Sequence, residues 1–274
     1  MRVLLHIRII LLPEIIRELM FARVADAVAA IRNYPAWPFP SITAISRQMT
    51  ELEFLQAAFR GELDSVRRYV EEGGDINTTN KAGMSGLMLA IWESGHWEVT
   101  RYLLENGIDP GIRQKSSGWR ALTFAAVNGH AAILRTLFEH GDRLEAADWK
   151  ALHFAVQYRS LDTVAVLLEH GADADIRDEE GKVPLMRAAG NSDSAMLDLL
   201  LRHGADPNLS DETGMTPLMY AAQKANIDNI RLLIAYGADV DARNRAGETP
   251  RAIAYGRKRT KIAEELRSNA GVPA

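Results

Sequence analysis

The chain has 274 residues, 47% of them hydrophobic and 25% charged, with a formal net charge of −4 and no cysteine. Without cysteine there is neither a disulfide framework nor a thiolate metal site. The acidic balance argues against non-specific nucleic-acid binding by the whole chain, and no run reaches the ~18 uninterrupted apolar residues of a membrane-spanning helix.

Residues 1–48 stand apart from the rest of the chain. Residues 3–12 are apolar but interrupted by His6 and Arg8 and followed by Pro13 and Glu14, a poor pattern for a signal peptide. Ile16, Met20, Val24, Ala27, Val28 and Ile31 recur at helical spacing, which predicts an amphipathic helix. In the simpler reading it packs on the first helical unit. In the alternative one it lies in a membrane interface, with contact through residues 1–32, and the chain is a membrane-surface adaptor. Residues 33–41 hold three prolines in nine positions, the mark of a linker. Met49 stands directly before the first helical unit and reads as a usable start, so 1–48 is expected to be an extension or a docking segment.

From residue 50 the chain reads as units of ~33 residues, each two short helices and a turn. The first, 50–79, is worn. Phe54, Leu55, Ala57 and Ala58 mark one helix, Gly61 a turn, and Val66, Tyr69 and Val70 a second; its acidic surplus suits an end cap. Unit 80–113 carries Leu87, Ala90, Gly95-His96 and Leu103-Leu104, and unit 114–146 carries Leu122, Ala125-Ala126, Gly129-His130 and Leu137-Phe138. Unit 147–177 comes next with Leu152-His153, Ala155 and Leu167-Leu168. Its entry is short: eleven steps separate Gly141 from Leu152, against fourteen from Gly171 to Leu185 or from Gly204 to Leu218. The turn there must be three residues shorter, and the array can bend at it.

Units 178–210 and 211–243 are the clearest. They share D-E-x-G-x-x-P-L-M-x-A-A in front and a leucine-rich run ending in Gly-Ala-Asp behind. In the second, Thr216 is placed to cap a helix and Pro217 to begin it. Leu218, Ala221 and Ala222 form a small-residue face for a close neighbour. After a turn at Ala225-Asn226, Ile230, Leu232, Leu233 and Ile234 build the second helix, and Gly237 supplies its left-handed end. One such hairpin cannot bury its own apolar face, so it needs neighbours. Residues 244–271 finish the array. Their basic cluster, Arg257-Lys258-Arg259 with Lys261, reads as a solvated cap rather than a nucleic-acid or lipid patch.

These residues resemble the ankyrin repeat, D-x-x-G-x-T-P-L-H-x-A-A-x-x-G-H-x-x-I-V-x-L-L-L-x-x-G-A-D-x-N. The resemblance implies an all-α solenoid with hairpin-like finger loops. Five full repeats (80–113, 114–146, 147–177, 178–210 and 211–243) lie between degraded caps at 50–79 and 244–271, making one repeat domain, 49–271, behind the extension 1–48. It further implies a non-catalytic interaction module or scaffold that docks a protein partner on its concave side, made by finger tips and exposed inner-helix positions. Carried over slot by slot, the finger positions include Lys81, Met84, Trp119, Trp149, Glu179, Glu180 and Glu212. The inner-helix positions include Trp92, Tyr158, Gln223 and Lys224. Trp92, Trp119, Trp149 and Tyr158 occupy slots that need not be buried, and such residues dominate binding energy in many interfaces, so a shared patch is expected. The competing expectation is that some of them pack against irregular fingers, Trp149 above all. Glu179, Glu180, Asp211 and Glu212 make acidic fingertips suited to a basic or mixed-charge partner.

Six of the seven histidines sit in repeat slots. Those one repeat apart should lie ~10 Å from each other, too far to share a metal. No G-x-S-x-G, H-E-x-x-H or phosphate-loop pattern occurs, so no catalytic residue, metal site or cofactor is expected. The expectation is a monomer with a protein partner and no specific nucleic acid, in the cytoplasm or, alternatively, secreted or periplasmic.

Overall fold

The computed structural model describes residues 49–92, 94–145, 148–191 and 194–269. The expected amphipathic helix, the linker and the membrane contact of residues 1–48 lie outside the described residues. Within them, seven helix pairs succeed one another: α1 (Glu51–Arg60) and α2 (Leu63–Glu71), α3 (Gly86–Ile91) and α4 (Trp97–Glu105), α5 (Ala121–Val127) and α6 (Ala131–Glu139), α7 (Trp149–Gln157) and α8 (Leu161–Glu169), α9 (Pro184–Ala189) and α10 (Ser194–Arg202), α11 (Pro217–Lys224) and α12 (Ile227–Ala235), α13 (Pro250–Gly256) and α14 (Thr260–Asn269). The first helix of each pair packs on the first helices of its neighbours and the second on the second, giving the two layers of an all-α solenoid.

The inner layer is close-packed because its contact faces are small. Ala58, Ala90, Ala126, Ala155, Ala189 and Ala222 are all fully buried. Larger apolar side chains fill the space between layers. Leu137, Leu167, Leu200 and Leu233 come from the outer helices and are also inaccessible; truncation of such a leucine costs ~2–5 kcal/mol. Where the sequence offers Thr-Pro, the helix starts as expected. The Thr216 hydroxyl accepts from the Met219 N–H at 3.4 Å and Thr249 from Ala252 at 3.2 Å, each with proline at the first helical position.

Successive repeats are tied together in two further places. At the helix–helix turn, Gly95 (φ +56°) lies so close to the His130 ring that an added Cβ would come within 2.8 Å of it. At the opposite end, the Asn77 side chain accepts from the Asp109 N–H at 2.8 Å, Asp175 from Asp206 at 3.0 Å and Asn208 from Asp239 at 2.7 Å. The fingers are turns rather than strands; among the described residues the β pairing is a single antiparallel bridge, Thr79 to Ser85. Arg113, Arg177 and Arg243 recur at the ends of units because each guanidinium braces the next turn, bonding the carbonyls of Gly118, Gly181 and Gly247.

The connection into unit 147–177 is three residues shorter, and the Asp148 N–H donates to the Glu145 carbonyl at 2.9 Å within it. Arg120, at the position where two other repeats carry the caps Ser85 and Thr216, packs against this connection and is fully buried. Its guanidinium bonds Asp142, the Arg143 carbonyl and both oxygens of Asp148. Asp148 also accepts from the Glu145 N–H at 2.9 Å. Burial works against the Arg120 charge, but the bonds to Asp148 and Asp142 more than offset it and drive its pKa upward.

Candidate functional site

The position two residues after the inner-helix leucine is buried at Leu89 and Phe124 and partly accessible in the three repeats that follow. Along the array this column reads Phe124, Phe154, Arg187, Tyr220, after Leu122, Leu152, Leu185 and Leu218. It therefore changes from aromatic to cationic and polar midway.

The aromatic half is a ladder. Trp92 stacks on Phe124 with ring centroids 5.3 Å apart, Phe124 and Phe154 each meet Trp119 at 5.4 Å, and Phe154 stacks on Tyr158 at 6.1 Å. The structure thus brings together three of the four aromatics singled out in the sequence, with Phe124 and Phe154 as links the sequence reading missed. Their slots, which need not be buried, are filled in the case of the two tryptophans. Trp92 and Trp119 are only 8% and 9% exposed, because each fills the gap between adjacent inner helices. Met84, read as an open finger position, is wholly buried beneath its own finger. Tyr158 is half-buried at the end of the ladder, and its hydroxyl has no hydrogen-bond partner among the described residues; burial raises its pKa.

Trp149 stands apart from the ladder. It begins α7 beside the shortened finger, edge-on to His153 at 5.6 Å, with the Lys150 ammonium 5.2 Å from its ring. It walls a cleft of about 300 Å³ whose apolar lining includes Leu144, Leu152, Leu167 and Ile176.

The polar half is built on two buried or half-buried aspartates at the same place in consecutive fingers. Asp178 accepts the N–H groups of Glu180 and Lys182, both at 2.9 Å, and pairs with Arg187. Asp211 accepts from Thr213 and Met215 at 2.8 and 3.0 Å, and from the Tyr220 hydroxyl at 2.6 Å. Burial opposes both charges, yet these donors outweigh it and lower both pKa values. Burial and the bond to Asp211 push the Tyr220 phenol up. Asp211 is therefore a turn-former and not the acidic fingertip expected; Glu179, Glu180 and Glu212 are exposed, as is Lys81.

Arg187 is held from two sides, since its Nε donates to His153 Nδ1 at 3.2 Å. That contact fixes the imidazole proton on Nε2, which donates to the Ile176 carbonyl at 3.0 Å. Burial lowers the His153 pKa and keeps the ring neutral. Between α7, α9 and α11 this leaves a slot of about 250 Å³, walled by Arg187, Lys182, Lys224, Tyr220 and the amides of Gln157 and Asn191. Gly190 adds no side chain to the lining of the slot, and Gln223, next to Lys224 on α11, is half-buried.

Other histidines have plain structural roles. His140 and His170 bond through Nδ1 to the carbonyls of Thr136 and Val166 at 2.9 and 2.8 Å, closing the ends of α6 and α8. Among the described residues no group of three or more His, Asp and Glu side chains is placed to hold a metal ion, and no helix is long and apolar enough to cross a membrane.

A family model described as ankyrin repeats in three copies matches residues 54–148, 87–178, 142–211 and 185–272. The chain belongs to the ankyrin-repeat family. Among solved structures it is similar to the ankyrin repeat domain of Bcl-3, a member of the IkappaB protein family (TM-score 0.69, 28% identity, 78% of this chain and 97% of that one). The human ASB11 ankyrin repeat domain is equally similar (TM-score 0.69, 27% identity, 81% and 99%). Curated relatives include the E3 ubiquitin-protein ligase XBAT33 of Arabidopsis thaliana, 40% identical over 79 residues, which are 29% of this chain and 15% of that protein. The human DNA-binding protein RFXANK is 34% identical over 90 residues, 32% of this chain and 34% of that protein. The similarity to these curated relatives thus spans a third or less of this chain, and about a third or less of theirs. Ankyrin repeats are generally protein–protein interaction modules without catalytic machinery of their own.

Proposed function

We propose that this chain is a non-catalytic protein-binding scaffold whose partner lies along the inner-helix column and the adjoining fingers. The observation that carries the reading is the state of that column. Phe154, Tyr158, Arg187 and Tyr220 are partly accessible, yet each is already fixed by a ring contact or a charged hydrogen bond. Side chains immobilised before binding lose little rotamer freedom when a partner arrives, and that preorganisation favours affinity. Tyr158, Gln223 and Lys224 would meet the partner directly, with Trp149, Lys81, Glu179, Glu180 and Glu212 contacting it from the fingers. Trp92, Trp119 and Met84 would act from beneath, by holding that surface in shape.

The test is affinity capture from native lysate by the full chain and by a variant carrying Tyr158→Ala, Gln223→Ala and Lys224→Ala, with matched folding by circular dichroism. Loss of a specific partner from the folded variant supports the inner-column interface. The same partners captured equally by both would place the interface elsewhere and sink the proposal.

A further inference from the structure

The slot between α7, α9 and α11 has a definite electrostatic character. We infer that it receives a carboxylate side chain, Asp or Glu, presented by a mixed-charge segment of the partner protein. The inference rests on the inner-column interface proposed above and gives that partner its chemistry.

The charged side chains that line the slot are all cationic: Arg187, Lys182 and Lys224. The nearby carboxylates of Asp178 and Asp211 do not line the slot and are already hydrogen-bonded. Asp178 spends its oxygens on two finger N–H groups and on Arg187, and Asp211 on two finger N–H groups and on Tyr220. Arg187 is the fixed point. Its Nε is bound to His153 and its Nη2 to Asp178, while Nη1 makes no hydrogen bond among the described residues. A guanidinium clamped in this way presents the remaining N–H groups in a set direction, the geometry that suits a carboxylate.

Two lysines complete the wall and differ in what holds them. Lys182 pairs with Glu180, whose side chain is 67% exposed; an exposed pair of this kind contributes little and exchanges readily. Lys224 is exposed and makes no ion pair among the described residues. A lysine or arginine entering the slot would face the unpaired Lys224 and find no carboxylate among the lining side chains. A purely apolar side chain would find Met186 and the lysine stems but would strip water from polar donors. A carboxylate satisfies the donors that are left. Outside the slot the sign reverses, since Glu179, Glu180 and Glu212 are exposed on the fingers. Basic residues flanking the anchoring carboxylate would face them, which is why the segment is expected to carry both signs.

The experiment is a display selection of random peptides on the full chain, repeated on Lys224→Glu and on the Tyr158→Ala, Gln223→Ala, Lys224→Ala variant. The most enriched peptide is then synthesised with its acidic residue intact and as the Asn or Gln form. Enrichment of Asp or Glu that disappears in Lys224→Glu is expected, with binding weakened about tenfold or more by the amide form, as loss of a charge-assisted contact requires. Peptides lost from the triple variant but showing no preference for Asp or Glu would overturn this inference and leave the inner-column interface standing. Peptides indifferent to every one of these substitutions, or no enriched family at all, would count against both.

Discussion

Arg120 and Asp148 are 28 residues apart in the chain, yet the Arg120 Nε lies 3.0 Å from one Asp148 oxygen and 3.1 Å from the other, with both side chains inaccessible to water. This pair braces the shortened finger. The connection between Gly141 and Leu152 is three residues shorter than its counterparts, and the guanidinium ties its two sides together by donating to Asp142, the Arg143 carbonyl and Asp148. Removing one member of a buried ionic cluster leaves its partners uncompensated, which typically costs ~3–5 kcal/mol. Arg120→Met is therefore expected to lower the unfolding free energy measured in urea by an amount in that range, and Asp148→Asn should cost less in the Arg120→Met background than in the parent chain. Additive losses in the double-mutant cycle would show that the two residues act separately.

The two tryptophans of this region should respond unequally. Trp119 is buried between Phe124 and Phe154, so Trp119→Ala is expected to destabilise by ~3–5 kcal/mol. Trp149 is half-buried at the edge of the cleft, and Trp149→Ala should cost only about 1 kcal/mol. Chemical denaturation of the two variants decides this. Equal losses would contradict the division of the aromatics into a ladder and a separate rim residue.

Gly95 and Gly107 both have positive φ, +56° and +82°, but only Gly95 faces a neighbour. Alanine at Gly107 has open space and should cost ~1–2 kcal/mol for its left-handed backbone alone. Alanine at Gly95 must in addition displace the His130 ring. Gly95→Ala is expected to be the more damaging of the two by thermal unfolding, and His130→Ala should recover part of the difference.

Burial holds His153 below its ordinary value of 6.5 in the folded protein. The unfolded chain then binds the proton more readily than the folded one, so stability rises with pH across this window. The contribution of His153 is complete above about pH 6.5 and is lost as the pH falls from there towards the folded value. Protonation would also remove the acceptor that Nδ1 offers to Arg187. Urea unfolding at about pH 7.5 and about pH 5.5 should show a smaller drop for His153→Gln than for the parent chain. An equal drop would assign the acid sensitivity to other groups.

Most of the array was legible from its 33-residue period. Thr216, Pro217 and Gly237 fix where α11 starts and α12 ends through short-range rules of capping and backbone geometry, and these hold whatever the neighbours are. The length deficit before Leu152 was equally plain, because it is a count along the chain. What replaced the missing residues was not plain, although Arg-Ala-Leu at 120–122, where the clear repeats read Thr-Pro-Leu or Val-Pro-Leu, was a signal that could have pointed to it. The candidate surface was read only in part. Tyr158, Gln223 and Lys224 were found as slots, while Phe124, Phe154, Arg187 and Tyr220 were passed over although they share one position of the repeat.

The order and start points of the helices follow from the sequence, since caps and turn residues act within a turn or two of one another, and the 33-residue period carries their stacking. Only the tertiary structure decided that Trp92, Trp119 and Met84 are core, that Asp211 ties a turn, and that Arg187 is aimed by His153. Those outcomes depend on side chains brought together from different repeats, or across a finger, and on the volume left free by a loop three residues short. Spacing along the chain names the slot a side chain occupies; how far it is covered, and what it bonds, is set by the repeat stacked against it.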